Sequence, residues 1–350
     1  MTLKSSKNLF HDACYNMFTQ RPPIWFMRQA GRYLPEYRAI RQHHTFLEMI
    51  HNTDLIHEVT MQPIKRFDFD AAILYSDILV IPQFFGLHFD FIEGKGPCLR
   101  ENNLTPEDLL SHLNRPWELE CTEPIYDAVD TLSEELASLN KTLIGFAGSP
   151  FTVACYLIEK GSSKTFSNVH RMIQMEPDLL HQLLDKITKA TIYHVQQQAK
   201  RGADIIQIFD TWGSLLTPSQ YNTFSRPYLT KIFDALLPFE SPLTLFVKNT
   251  AAYLDLLHEI PFNTLGVDWQ DSISDIKQKM PHLCVQGNLN PNTLNLSKEK
   301  ALEETKNICL SMQKQDGFIF NLGHGILPQT PLENVHAVVD YVKSFRNIQT

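Results

Sequence analysis

The sequence predicts an α/β protein: one (β/α)8 TIM barrel spanning residues 1–350 as a single domain, with additional N-terminal and crossover helices. Three observations carry this reading. Short apolar runs rich in β-branched residues recur eight times, segments with helical spacing separate them, and neither GxGxxG nor GxxxxGKS/T occurs anywhere. Strands that alternate with helices imply a mainly parallel sheet, either closed or open. Eight runs match the strand number of the closed form, and the missing phosphate loops remove the common nucleotide signatures of the open one.

In chain order the runs are residues 23–27 (PIWFM), 71–75 (AAILY), 143–147 (LIGFA), 204–209 (DIIQIF), 243–247 (LTLFV), 264–267 (TLGV), 284–286 (CVQ) and 318–321 (FIFN). The first is the weakest strand candidate, because Pro22 and Pro23 also suit an extended arm. Residues 88–142 read as an elaborated crossover, with Gly94, Gly96 and Pro97 near its start. Pro150 opens a helix, and an amphipathic run over 177–200 stops near Gly202, just before a strand. Thr217-Pro218-Ser219-Gln220 and Thr330-Pro331-Leu332-Glu333 each combine a Thr N-cap, a Pro in the first turn and a capping-box partner. After the second, Leu332, Val335, Val338, Val339, Val342 and Phe345 share one helical face, predicting a C-terminal helix packed on the body.

Composition narrows the function. Apolar residues make up 43% of the chain and charged residues 20%, enough for a substantial core and against disorder. The formal charge of -8 argues against a nucleic-acid backbone or an anionic membrane as the main partner, so an anionic substrate must meet a local cationic pocket. The six cysteines lack CxxC spacing, as reduced thiols do, and no stretch approaches the ~20 apolar residues of a membrane span. A soluble, cytoplasmic protein is expected.

A barrel places its chemistry at the C-terminal ends of the strands. The residues just after the runs are Arg28 with Arg32, Asp77, Gly148-Ser149, Asp210-Thr211, Lys248-Asn249, Asp268, Asn288 and His324. Each alone reads equally well as a polar loop start or helix cap, and only their convergence points to a site. Arg28 and Arg32 stand four apart around Gly31, a pair suited to carboxylates, or else to ion pairs with Glu36. Asp77 has no basic neighbour in sequence, so its work is to accept hydrogen bonds. Tyr156 reads as a core or a site tyrosine, and His324 sits between two glycines after the last strand. A zinc site from His282, Cys284 and Cys309 has the right residue types, but the first two fall at the start of a strand, the opposite end from Asp77 and His324. A Ser149/His324/Asp77 triad lacks a GxSxG elbow.

Five segments carry a further signal: MRQAGRYLPEYR over 27–38, YSDILVIPQ from Tyr75, GFAGSPFT from Gly145, QGNLNP from Gln286 and NLGHGILP from Asn321. In this order and spacing they resemble the uroporphyrinogen decarboxylase family across nearly the whole chain. The resemblance implies a barrel, usually a homodimer, that converts uroporphyrinogen III to coproporphyrinogen III by removing four acetate carboxyls without metal or organic cofactor. Position by position it implies that Arg28, Gln29, Ala30, Gly31 and Arg32 bind substrate, that Asp77 contacts the tetrapyrrole centre, and that Tyr156, Thr211 and His324 complete the pocket. Asp77 and Arg28 are the catalytic candidates. Two departures stand out: Glu159-Lys160-Gly161 replaces a Gly-rich turn, and Asp210-Thr211-Trp212 replaces the Glu-Ser-His of some members. Competing readings are a zinc-dependent corrinoid or folate methyltransferase of related architecture and a non-catalytic tetrapyrrole-binding protein.

Overall fold

The computed structural model describes residues 8–92 and 94–349. Seven parallel strands form one curled sheet: β1 (Ala71–Ile73), β4 (Thr142–Gly148), β5 (Ile205–Asp210), β6 (Leu243–Val247), β7 (Thr264–Gly266), β8 (Cys284–Leu289) and β9 (Phe318–Leu322), neighbouring one another in that order. Every residue of these strands is buried, so each reads as a continuous apolar run, as parallel strands covered on both faces do. β2 (Phe89–Ile92) and β3 (Gly96–Leu99) form a separate antiparallel hairpin within the predicted crossover, where Gly94 and Gly96 take positive φ.

The first run departs from the expected strand. Residues 23–27 form no regular strand; only Ile24 makes a parallel bridge, to Phe320. The segment nevertheless lies between the sheet's two ends. On one side Phe320 N–H donates to the Pro23 carbonyl (2.8 Å) and Trp25 N–H to the Phe320 carbonyl (3.3 Å); on the other, Asp70 N–H donates to the Ile24 carbonyl (2.9 Å). The prolines explain the broken ladder, since neither Pro22 nor Pro23 has an N–H to give. Asp70 compensates by accepting from Ile24 N–H and from the Arg21 guanidinium.

The helices follow their punctuation closely. The helix Pro177–Lys200 buries Leu180, Leu184, Ile187 and Ala190 and ends ahead of Gly202, whose φ of 107° no side-chain-bearing residue adopts easily. From its last turns Gln198 reaches into the sheet and bonds both the N–H and the carbonyl of Phe146. Thr217 forms the expected capping box with Gln220, whereas the one expected at Thr330 is absent: the C-terminal helix begins at Leu332, and the Thr330 hydroxyl has no partner. A Pro in the N-cap position offers no side-chain acceptor.

Inside the curl, Trp25 Nε1 donates to Gln286, which in turn donates to Gln207 on β5. Phe146, in register with Gln207, packs on Phe209, two residues further along β5, and Phe209 on its register partner Phe246, with ring centroids 5.7 and 6.0 Å apart. These rings put an apolar floor beneath the C-terminal rim.

Candidate functional site at the C-terminal rim

The loops that leave the strands carry the predicted residues to one end of the sheet. Arg28, Arg32, Asp77, Tyr156, Thr211, Lys248 and His324 all keep solvent access, while the strand residues behind them are buried. Selective exposure of polar groups over an apolar floor is the form of a ligand-binding mouth.

Asp77 follows β1 and caps the 3-10 helix Ile78–Phe85, its Oδ1 accepting Leu79 N–H at 2.7 Å. Burial pushes its carboxyl up to about 6, while the Leu79 hydrogen bond and the positive charge of Arg28 pull the other way. Among the described residues no lysine or arginine forms an ion pair with it. One oxygen therefore stays available at the mouth.

Arg28 reaches the site by an unusual backbone route. Its φ is +63°, a left-handed conformation that costs an arginine roughly 1 kcal/mol, and the flanking chain holds it there. Met27 N–H donates to Asn321 Oδ1 and Ile326 N–H donates to the Met27 carbonyl, so the arm is tied to the loop after β9. Arg28 and Arg32 form no ion pair among the described residues. Glu36, their candidate partner, is instead held by Arg66 through two hydrogen bonds of 2.7 and 2.9 Å. Gln29 points inward: its amide accepts Phe26 N–H and donates to the Ala71 carbonyl, so its side chain links the arm to β1. Ala30 and Gly31 stay half-exposed in the same turn.

His324 follows β9. Its Nδ1 accepts Gly325 N–H at 2.8 Å, which leaves the proton on Nε2. Burial lowers its pKa to about 4, with Arg28 and Lys248 adding to the shift, so the ring is a neutral hydrogen-bond donor at physiological pH. Phe246, of the apolar floor, meets it edge-on at 6.3 Å.

Tyr156 projects from the helix Pro150–Glu159, whose N-cap is Ser149. Burial raises its pKa, and the Asp77 charge is felt there as well. Thr211 and Trp212 follow β5, and the Trp212 ring centre lies 6.2 Å from that of Tyr156. Between these elements Asp210 is fully buried and accepts from Ser149 (2.5 Å), Thr152 (3.2 Å) and Ser225 (2.7 Å). It thus ties the N-cap of the Tyr156 helix to the strand that presents Thr211. The departure at residues 159–161 is also built in: Lys160 is left-handed at the helix C-cap and its carbonyl accepts Leu99 N–H, stitching the turn to β3.

Ser149, whose hydroxyl is committed to Asp210, is not brought to His324 as a nucleophile. His282, Cys284 and Cys309 likewise do not assemble; among the described residues no group of three or more His, Cys, Asp or Glu could hold a metal ion. Cys284 is buried at the start of β8, and burial raises its thiol to about 12, far from thiolate character. No helix among the described residues is long and apolar enough to cross a membrane. The aromatic floor was not read from the sequence. Its signal, a Phe in each of three buried runs, cannot assign a face where every position is buried.

A family model described as uroporphyrinogen decarboxylase matches residues 5–345. A uroporphyrinogen decarboxylase from Thermodesulfovibrio yellowstonii is 40% identical over 342 residues, covering 97% of this chain and 98% of that protein. One from Psychromonas ingrahamii is 42% identical, covering 92% of each. Among solved structures, a methyltransferase from Methanosarcina mazei superposes with a TM-score of 0.77 at 22% identity, over 96% of this chain and 97% of that one. At that identity the likeness speaks to the fold alone.

Proposed function

The chain belongs to the uroporphyrinogen decarboxylase family and is a carboxy-lyase of porphyrin biosynthesis, and we propose that it removes the four acetate carboxyls of uroporphyrinogen III, one after another, to give coproporphyrinogen III. The substrate acts as its own electron sink, with Asp77 as the stabilising anion and no metal or organic cofactor taking part. The observation that carries this reading is a carboxylate at the mouth that has no ion-pair partner among the described residues, lies within the field of Arg28 and stands above an apolar floor.

Protonation of the α ring carbon next to the one that bears an acetate arm gives a cation delocalised over the remaining ring carbons and the pyrrole nitrogen. The bond to the carboxylate then breaks, its electron pair flows into the ring, CO2 leaves and an exocyclic methylene remains. A proton added to that methylene and the ring proton lost restore the pyrrole with a methyl group. One proton is consumed per CO2 released.

Asp77, bound to pyrrole N–H groups, opposes the positive charge of the first intermediate. Opposite unit charges ~4 Å apart attract by about 4 kcal/mol at an effective dielectric near ~20, roughly a thousandfold in rate if felt only in the transition state. Arg28 and Arg32 hold substrate carboxylates, with half-exposed Ala30 and Gly31 in the turn between them and the buried Gln29 bracing that turn against β1. Tyr156, Thr211 and the Nε2–H of His324 supply neutral hydrogen bonds. Arginine's very high pKa makes it a poor general acid, so its role here is to bind.

The arm at residues 23–27 we take as the eighth stave of a closed barrel that makes up a single domain. The protein works as a homodimer in the cytoplasm. The test of function is anaerobic incubation with uroporphyrinogen followed by mass analysis: four successive losses of CO2 are expected, and an unchanged substrate would refute the assignment.

A further inference from the structure

Lys248 follows β6 directly, at the same rim as Asp77 and His324. Its backbone is fixed from the next residue, where the left-handed Asn249 donates its N–H to the buried Asp268. The ammonium lies 5.9 Å from the centre of the Trp212 ring, and among the described residues no carboxylate forms an ion pair with it. Its charge reaches His324, as that of Arg28 does, so two unpaired cations bear on one neutral imidazole. A half-buried ammonium held only by an aromatic face has surrendered part of its hydration without a counter-ion. An anion at the mouth would supply one.

Resting on the decarboxylase reading, we propose that Lys248, backed by the Trp212 ring, is a further substrate-binding residue that takes one carboxylate arm of the tetrapyrrole. Arg28 and Lys248, whose charges both reach His324, then each grip an arm. Acetate and propionate arms offer the same chemistry to an ammonium, and the two porphyrinogens separate them, since the product retains only its propionates.

The test is binding titration of uroporphyrinogen and coproporphyrinogen, under anaerobic conditions, to wild type, Lys248→Gln and Lys248→Arg, with thermal melts of all three. Lys248→Gln is expected to weaken substrate binding about tenfold or more with an unchanged melting temperature, and Lys248→Arg to restore most of it. An equal loss for both ligands assigns a propionate arm, and a loss for substrate alone assigns an acetate arm. Unchanged affinity for both ligands in Lys248→Gln overturns the proposal. A wild-type chain that binds neither porphyrinogen refutes instead the decarboxylase reading beneath it.

Discussion

The side chain of Arg28 lies directly across Gly325: a methyl group built at 325 would overlap Arg28 Cδ and approach Nε to 2.9 Å. With the Arg28 side chain in this position, the arm and the loop after the last strand leave no room for a side chain at residue 325. Gly325→Ala should displace the guanidinium, lowering kcat/KM about tenfold or more with the loss mainly in KM. Because both changes act through Arg28, Gly325→Ala added to Arg28→Ala should cost little further. Steady-state kinetics of the two single variants and the double variant decide this; additive losses would show that the glycine serves something else.

Asp77 must be ionised to oppose a cation, and burial puts its pKa at about 6. In the free enzyme kcat/KM should therefore rise with pH through about 6. Arg28 lowers that pKa, so Arg28→Met should move the acid limb to higher pH while also weakening binding. A limb that stays in place in Arg28→Met would assign it to another group.

His324 gives a stability signature of opposite sign to that of Asp77. Its folded pKa, about 4, lies below its usual value, so it favours the fold fully above about 6.5, and that contribution is lost as pH falls toward 4. The ceiling is roughly 3 kcal/mol from the size of the shift. Asp77, with its pKa raised, favours the fold below about 4, a contribution lost as pH rises through 6. Denaturant melts of His324→Gln between pH 4 and 7 should show a smaller loss of stability on acidification than wild type. Parallel curves would contradict a neutral, half-buried imidazole.

Asp210 is a fully buried structural carboxylate behind the site. Asp210→Ala leaves the hydroxyls of Ser149, Thr152 and Ser225 without their acceptor and should destabilise the protein by about 3 kcal/mol, with activity falling beyond what the lost stability explains. Equilibrium unfolding alongside turnover of the still-folded fraction tests both parts.

Much of the rim was legible because barrel chemistry gathers just after buried strands, and Asp77, Thr211, Lys248 and His324 all occupy such positions. The helix starts at Pro150 and Pro218 were legible because their caps are local hydrogen bonds. The arm was not, since whether residues 23–27 pair as a strand depends on Phe320 and Asp70, partners nearly 300 and about 45 positions away. The hairpin β2–β3 was read only as part of a crossover, because its alternation is too short to stand out. The commitment of Glu36 to Arg66, which leaves Arg28 and Arg32 free for carboxylates, depends on a helix packed thirty residues on.

The central claim is that the Asp77 carboxylate stabilises positive charge on the substrate. Its most direct measurement is single-turnover decarboxylation by Asp77→Asn, paired with the substrate dissociation constant of the same variant. A rate reduced about a thousandfold, with affinity changed by only a few-fold and the fold intact, is predicted. A first decarboxylation at nearly the wild-type rate would contradict it.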